Sequence, residues 1–137
     1  MVTKMRRGLD IPIAGGPAQQ LPETAFFPPR VALLGADVHR LRPALAVHEG
    51  EEVRAGQVLF ADKDRPGVVF TAPGAGTVAE SRRGARRGFE ALVLKTAPDA
   101  GDELAFGPLR DDGELARLDA AEARAQLLAS GLWTTLR

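Results

Sequence analysis

The chain has 137 residues, with 18 basic and 18 acidic side chains and no cysteine. A domain of that length buries roughly two thirds of its unfolded surface. Balanced charge gives no global field to recruit nucleic acid or an anionic membrane. The missing thiols exclude disulfides, thiolate metal sites and cysteine nucleophiles.

Residues 1–29 read as an extended arm. Pro12, Gly15, Gly16, Pro17 and Pro22 interrupt regular structure, and the alternation of Leu9, Ile11 and Ile13 permits at most a short edge strand. Lys4, Arg6 and Arg7 are followed by no apolar stretch, so this is no secretory signal. No apolar run approaches the roughly 20 residues of a membrane-crossing helix, so a soluble, cytoplasmic chain is expected.

Strand signals begin at Arg30-Val31-Ala32-Leu33-Leu34 and stop at Gly35. A polar loop from Ala36 to Arg42 carries His39, Arg40 and Arg42, and Pro43 leads into a strand through Leu45 and Val47. Residues 50–80 organise the chain. Turn signals at Gly50, Gly56 and Pro66-Gly67 separate short runs rich in Val, Leu and Phe. The pattern GxxVxxGQxL, followed by an APxxGxV segment, resembles half of a biotinyl- or lipoyl-type barrel. The predicted fold is therefore mainly β, a barrel-sandwich hybrid over residues 30–97. A hairpin connection over Ser81–Gly88 and a return strand from Phe89 to Lys95 complete it.

Residues 98–118 are rich in Asp, Gly and Glu and read as a loop-rich connector. A C-terminal helix is predicted over 119–131. Asp119 serves as N-cap, Glu122 stands at the capping-box position, and Gly131 closes the helix in the left-handed conformation. Leu132 is placed to fold back on Leu127. Residues 132–137 form a tail whose Trp133 is expected to be exposed, with no further element to cover it, as in a fragment of a chain that continues.

Several candidate chemistries compete with plainer readings. Lys63 sits four residues after Leu59 and ten before Pro73, too asymmetric for the swinging arm of a carrier domain. It reads as an exposed turn lysine, with the carrier domain as the rival. Gly74-Ala75-Gly76-Thr77-Val78-Ala79 mimics a dinucleotide fingerprint but leaves no room for the helix that motif requires. A glycine-bearing crossover between half-barrels is the better reading. Arg82, Arg83, Arg86 and Arg87 form the densest positive cluster, either a solvated turn or a subunit-docking patch. His39 and His48 lack metal-ligand spacing, Asp111-Asp112 and Glu51-Glu52 are neighbours that point apart, and neither serine lies in a nucleophile elbow. No catalytic constellation is complete.

Seven segments in register carry a resemblance. They are Arg7-Gly8-Leu9-Asp10-Ile11-Pro12-Ile13-Ala14-Gly15, Val31 to Gly35, Arg42-Pro43, Gly56 to Phe60 with Asp62-Lys63, Pro66 to Pro73, Arg83-Gly84-Ala85 with Arg87, and Ser130 to Thr134. Together they resemble the A subunits of Na+-translocating NADH:quinone reductases. The C subunit of a related electron-transport complex shares the barrel but lacks the Gly8-Leu9-Asp10 opening.

The resemblance implies a peripheral subunit on the cytoplasmic face of the bacterial inner membrane, packed on other subunits and close to ubiquinone. The complex uses FAD, FMN, riboflavin and an iron–sulfur centre. These are expected on other subunits, with no cofactor bound by this chain. A quinone site needs an apolar slot with donors for the ring carbonyls. The loop residues Leu34, Gly35, His39, Arg40, Leu41 and Arg42, together with Trp133, are the quinone-proximal candidates. A free-standing barrel-sandwich interaction module is the other rival.

Overall fold

A computed structural model describes residues 15–16, 27–85, 88–97, 103–108 and 110–136. Most of the arm, with the edge strand expected at Leu9 to Ile13, lies outside the described residues, as do Arg86 and Arg87.

Among the described residues seven strands run in chain order: β1 (Arg30–Leu34), β2 (Pro43–Leu45), β3 (Glu52–Val53), β4 (Val58–Asp62), β5 (Val69–Thr71), β6 (Gly76–Arg83) and β7 (Phe89–Thr96). They form two antiparallel sheets, one ordered β1-β7-β6-β3 and the other β2-β4-β5. The segment Ala72 to Ala75 carries the chain from the second sheet into the first. The glycine run is therefore a crossover, and Gly76 opens a strand rather than a helix.

The core lies between the sheets. Leu59, Phe60, Phe70, Val78, Leu92 and Leu94 fill it, and the rings of Phe60 and Phe70 stack at 4.6 Å. Burying each of these side chains contributes about 1.5–3 kcal/mol. A register shift between Val78 and Glu80 leaves Ala79 unpaired, so β6 reverses which residues face inward. Beyond it Glu80 opposes Val93 and Ser81 opposes Leu92, the buried Ala91–Leu94 run being covered on both faces. The hairpin connection is shorter than the sequence suggests, because β6 and β7 keep pairing out to Arg83 and Phe89.

The connector is more ordered than its composition implies. Glu103 bridges Ala55 in parallel, and the Leu104 amide donates to the Ala55 carbonyl at 2.9 Å. Phe106 lies so close to Gly56 that a Cβ there would sit 2.7 Å from the ring, and Gly56 has φ of 81°. Only glycine satisfies both conditions. A single helical turn, α1 (Asp112–Leu115), then forms with a full capping box between Asp111 and Glu114. The loop expected here from composition thus contains a capped helical turn.

Helix α2 spans Ala120–Ala129, and the Asp119 carboxylate accepts from the amides of Ala121 and Glu122. The predicted N-cap is present, but the Glu122 carboxylate pairs with Arg110 instead of closing the box. Gly131 ends the helix with φ of 78°. Leu132 is exposed; Leu128 and Trp133 are the residues that pack against the core. Trp133 is thus half-buried, not the exposed residue expected from sequence. The Arg124 guanidinium lies 5.1 Å from the centroid of the indole and covers part of its face.

Candidate functional site

The site grows from the end of β4. Asp62 closes that strand and is the only buried charged residue among those described. A buried carboxylate requires compensation. Asp62 obtains it from the Asp64 amide at 3.1 Å and from the Arg65 guanidinium at 2.7 Å. The second arm of Arg65 donates to the His39 carbonyl at 3.2 Å, across 26 residues of sequence. The Lys63 amide donates to the Arg42 carbonyl at 2.9 Å, and the Arg42 side chain pairs with Asp64 at 2.8 Å. The β4–β5 turn therefore grips the segment from Val38 to Arg42 at two carbonyls.

One 3-10 turn, Gly35–Asp37, leads into the gripped segment. Arg40 then adopts φ of 56°, the only positive value at a non-glycine residue among those described. Such a conformation costs about 1–2 kcal/mol and persists where neighbours over-determine it. Here the two flanking carbonyls, of His39 and Arg42, are both held.

From the other side, Thr71 donates through its hydroxyl to the Ser130 carbonyl at 2.8 Å. A Cβ on Gly131 would meet that hydroxyl at 2.9 Å. The close approach seats the following turn, Leu132–Thr135, against the barrel. Between this turn and the gripped segment lies an open recess of about 480 Å³, lined by Val68 and Phe70 below and by Asp37, His39, Arg65, Trp133 and Leu136 around it. The arrangement offers an aromatic face, an apolar floor, an imidazole and a guanidinium. It can hold a planar, amphiphilic group that carries hydrogen-bond acceptors.

The structure thus brings His39 and Trp133 together. Leu34 lines a neighbouring recess shared with Asp37 and Thr134, while Gly35 faces Phe89 and the Gly84–Gly88 connection. Leu41 packs on the core, Arg42 belongs to the grip, and Arg40 is exposed. Asp62 and Arg65 were missed as site residues. Their one signal was an acid closing the apolar run Val58-Leu59-Phe60-Ala61, with an arginine three residues on.

The other candidates sit apart. Lys63 is exposed and opens the β4–β5 turn, whose tip is Arg65 to Gly67. Arg82 is held by Glu80 at 2.7 Å. That hydrogen bond lowers the Glu80 carboxyl below its ordinary value and raises the Arg82 guanidinium, with neighbouring charges adding to both. Arg83 is also engaged. The cluster is therefore partly neutralised by its own sheet. His48 pairs with Glu51 at 2.7 Å. Among the described residues no group of His, Asp or Glu side chains is placed to hold a metal ion. No described helix is long and apolar enough to cross a membrane.

Comparison with known proteins bears on this whole region. The chain is 45% identical over 136 residues to the A subunit of the Na(+)-translocating NADH-quinone reductase of Serratia proteamaculans, covering 98% of this chain and 29% of the relative. The proteins of the same name from Pseudomonas aeruginosa and Klebsiella pneumoniae are 46% and 47% identical over 134 residues, with the same coverage. The chain thus spans about 29% of the length of the curated relatives it matches. Residues 3–97 match the profile of the NqrA N-terminal barrel-sandwich hybrid domain. With that match over residues 3–97 and 45% identity spread over 98% of the chain, the chain belongs to the NqrA N-terminal barrel-sandwich hybrid family.

Proposed function

We propose that this chain forms the N-terminal part of an A-type subunit in a Na+-translocating NADH:quinone reductase. It acts there as a scaffold at the cytoplasmic face of the membrane, docking on other subunits and contributing one wall of the quinone site. The observation that carries this reading is the recess between the gripped loop and Trp133, in a chain whose similarity to such subunits covers both walls. A quinone ring would lie against Val68, Phe70 and the indole. The His39 imidazole and spare donors of Arg65 would face its carbonyl oxygens. Redox chemistry belongs to the flavins and the iron–sulfur centre, which this reading assigns to other subunits, and the chain supplies position and shape. Arg82 and Arg83, with Arg86 and Arg87 next to them in sequence, are the proposed contact with those subunits.

Photo-crosslinking with an azido-ubiquinone tests the quinone reading. Peptides containing His39 or Trp133 should carry the label, and excess ubiquinone should protect them. Label confined to peptides outside the recess would overturn it. Co-purification with the membrane subunits tests the scaffold reading, and charge reversal at Arg83 should weaken it. Intact mass showing an adduct on Lys63 would instead favour a carrier domain.

A further inference from the structure

We infer that Asp62 and Arg65 are the positioning pair of this recess, a buried carboxylate and a guanidinium that together set the course of residues Val38 to Arg42. Three observations carry the inference. Asp62 has a side chain with no exposure and sits at the inner end of β4, so its place is fixed by the core. Arg65 spans from that carboxylate to the His39 carbonyl, using two nitrogens of one rigid plane. The far end of the loop is held at Arg42 by the Lys63 amide and by Asp64, but ahead of it the only local bonds are long, Val38 N to the Gly35 carbonyl at 3.4 Å and Leu41 N to the Val38 carbonyl at 3.3 Å. Its next residue, Arg40, is in the left-handed region. Local bonds of that kind do not specify a strained loop; an anchor rooted in the core does.

The consequence is that a carboxylate lining no part of the recess decides its shape. Asp62 is absent from the lining, whereas Arg65 and His39 are both in it. A lysine at position 65 can keep the charge on Asp62 but cannot reach two acceptors at once, since the ammonium is a point rather than a fork. The geometric half of this inference stands by itself. Its ligand half rests on the quinone reading.

The test uses Arg65→Lys in the intact chain, with tail-less ubiquinone as probe. Trp133 is the single tryptophan, so its fluorescence reports the recess without a label. In the ligand-free protein, the amide resonances of Val38 to Leu41 should shift and acrylamide should quench Trp133 more readily, while the unfolding midpoint stays near wild type. Affinity for the probe should fall about tenfold, as for one lost charge-assisted hydrogen bond. Lys63→Ala, which removes a neighbouring charge but keeps the backbone bond to Arg42, should leave both readouts unchanged. Asp62→Asn offers a second variant if Arg65→Lys fails to fold, and the same resonances should shift.

Unchanged amide resonances in Arg65→Lys overturn the inference. Weakened binding with unmoved amides also overturns it, because Arg65 would then act on the ligand alone and not position the loop. Shifted amides in a protein that never binds the probe support the positioning pair and sink the quinone reading instead.

Discussion

At Arg40 the backbone takes φ of 56° while the side chain is exposed. Glycine removes the steric cost of that conformation but increases the freedom of the unfolded chain. The net expectation for Arg40→Gly is a gain of about 0.5–1 kcal/mol in unfolding free energy, measurable by urea denaturation. Gly131 is the converse case. Any side chain there meets both a positive φ and the Thr71 hydroxyl, so Gly131→Ala should lose about 1–3 kcal/mol. Glu80 adds a pH dependence. Its carboxyl is lowered from the ordinary 4.5 in the folded chain, first by the hydrogen bond from Arg82. A depressed carboxyl contributes stability above its unfolded value, and that contribution disappears as pH falls through the folded value. Between wild type and Glu80→Gln, the wild type should therefore lose stability more steeply below pH 4.5. The pair is at the surface, so the difference should shrink in high salt.

Among the elements, β4 carries the most. It pairs with both β2 and β5, contributes Leu59 and Phe60 to the core, and ends in the carboxylate that anchors the recess. Phe60 stacks on Phe70 and tilts against Phe89 at 5.2 Å, so Phe60→Ala empties a junction between the two sheets. A loss of about 3–5 kcal/mol is expected, enough to unfold a marginal domain. Helix α2 is different in kind. It has no fully buried residue; Leu128 packs on the core and Arg110 holds Glu122 and Gln126, while the Asp119 cap and the Gly131 approach to Thr71 fix its two ends. Asp119→Ala should cost about 1 kcal/mol. Because the helix end seats Trp133, the change should also broaden or shift the tryptophan emission.

On the scale of the whole molecule, two sheets form the body and residues 103–108 and 110–136 return across it. This return touches the barrel at Ala55, at Gly56 and again at Thr71. The recess exists only because that return brings Trp133 opposite the His39 loop. The proposed role is structural, so the purified chain should show no NADH oxidation above background. Turnover by the chain alone, followed by absorbance of NADH, would contradict the scaffold reading.

Strands, turns and the helix could be read from the sequence because their causes are local. Alternating branched residues, glycines at turns and Asp119 before a run of helix formers act within a few positions of themselves. Lys63 could likewise be recognised as a turn residue from its spacing. The capping box at Asp111 was equally local and was obscured by the acidic, glycine-bearing residues around it. Tertiary structure alone decided the bulge at Ala79, the half-burial of Trp133 and the meeting of Trp133 with His39. It also decided the reach of Arg65 to a carbonyl 26 residues away. Local pattern specifies which conformation a segment prefers. Which segments meet is settled by burial of the two sheet faces against each other, a property of the closed chain that no single stretch contains.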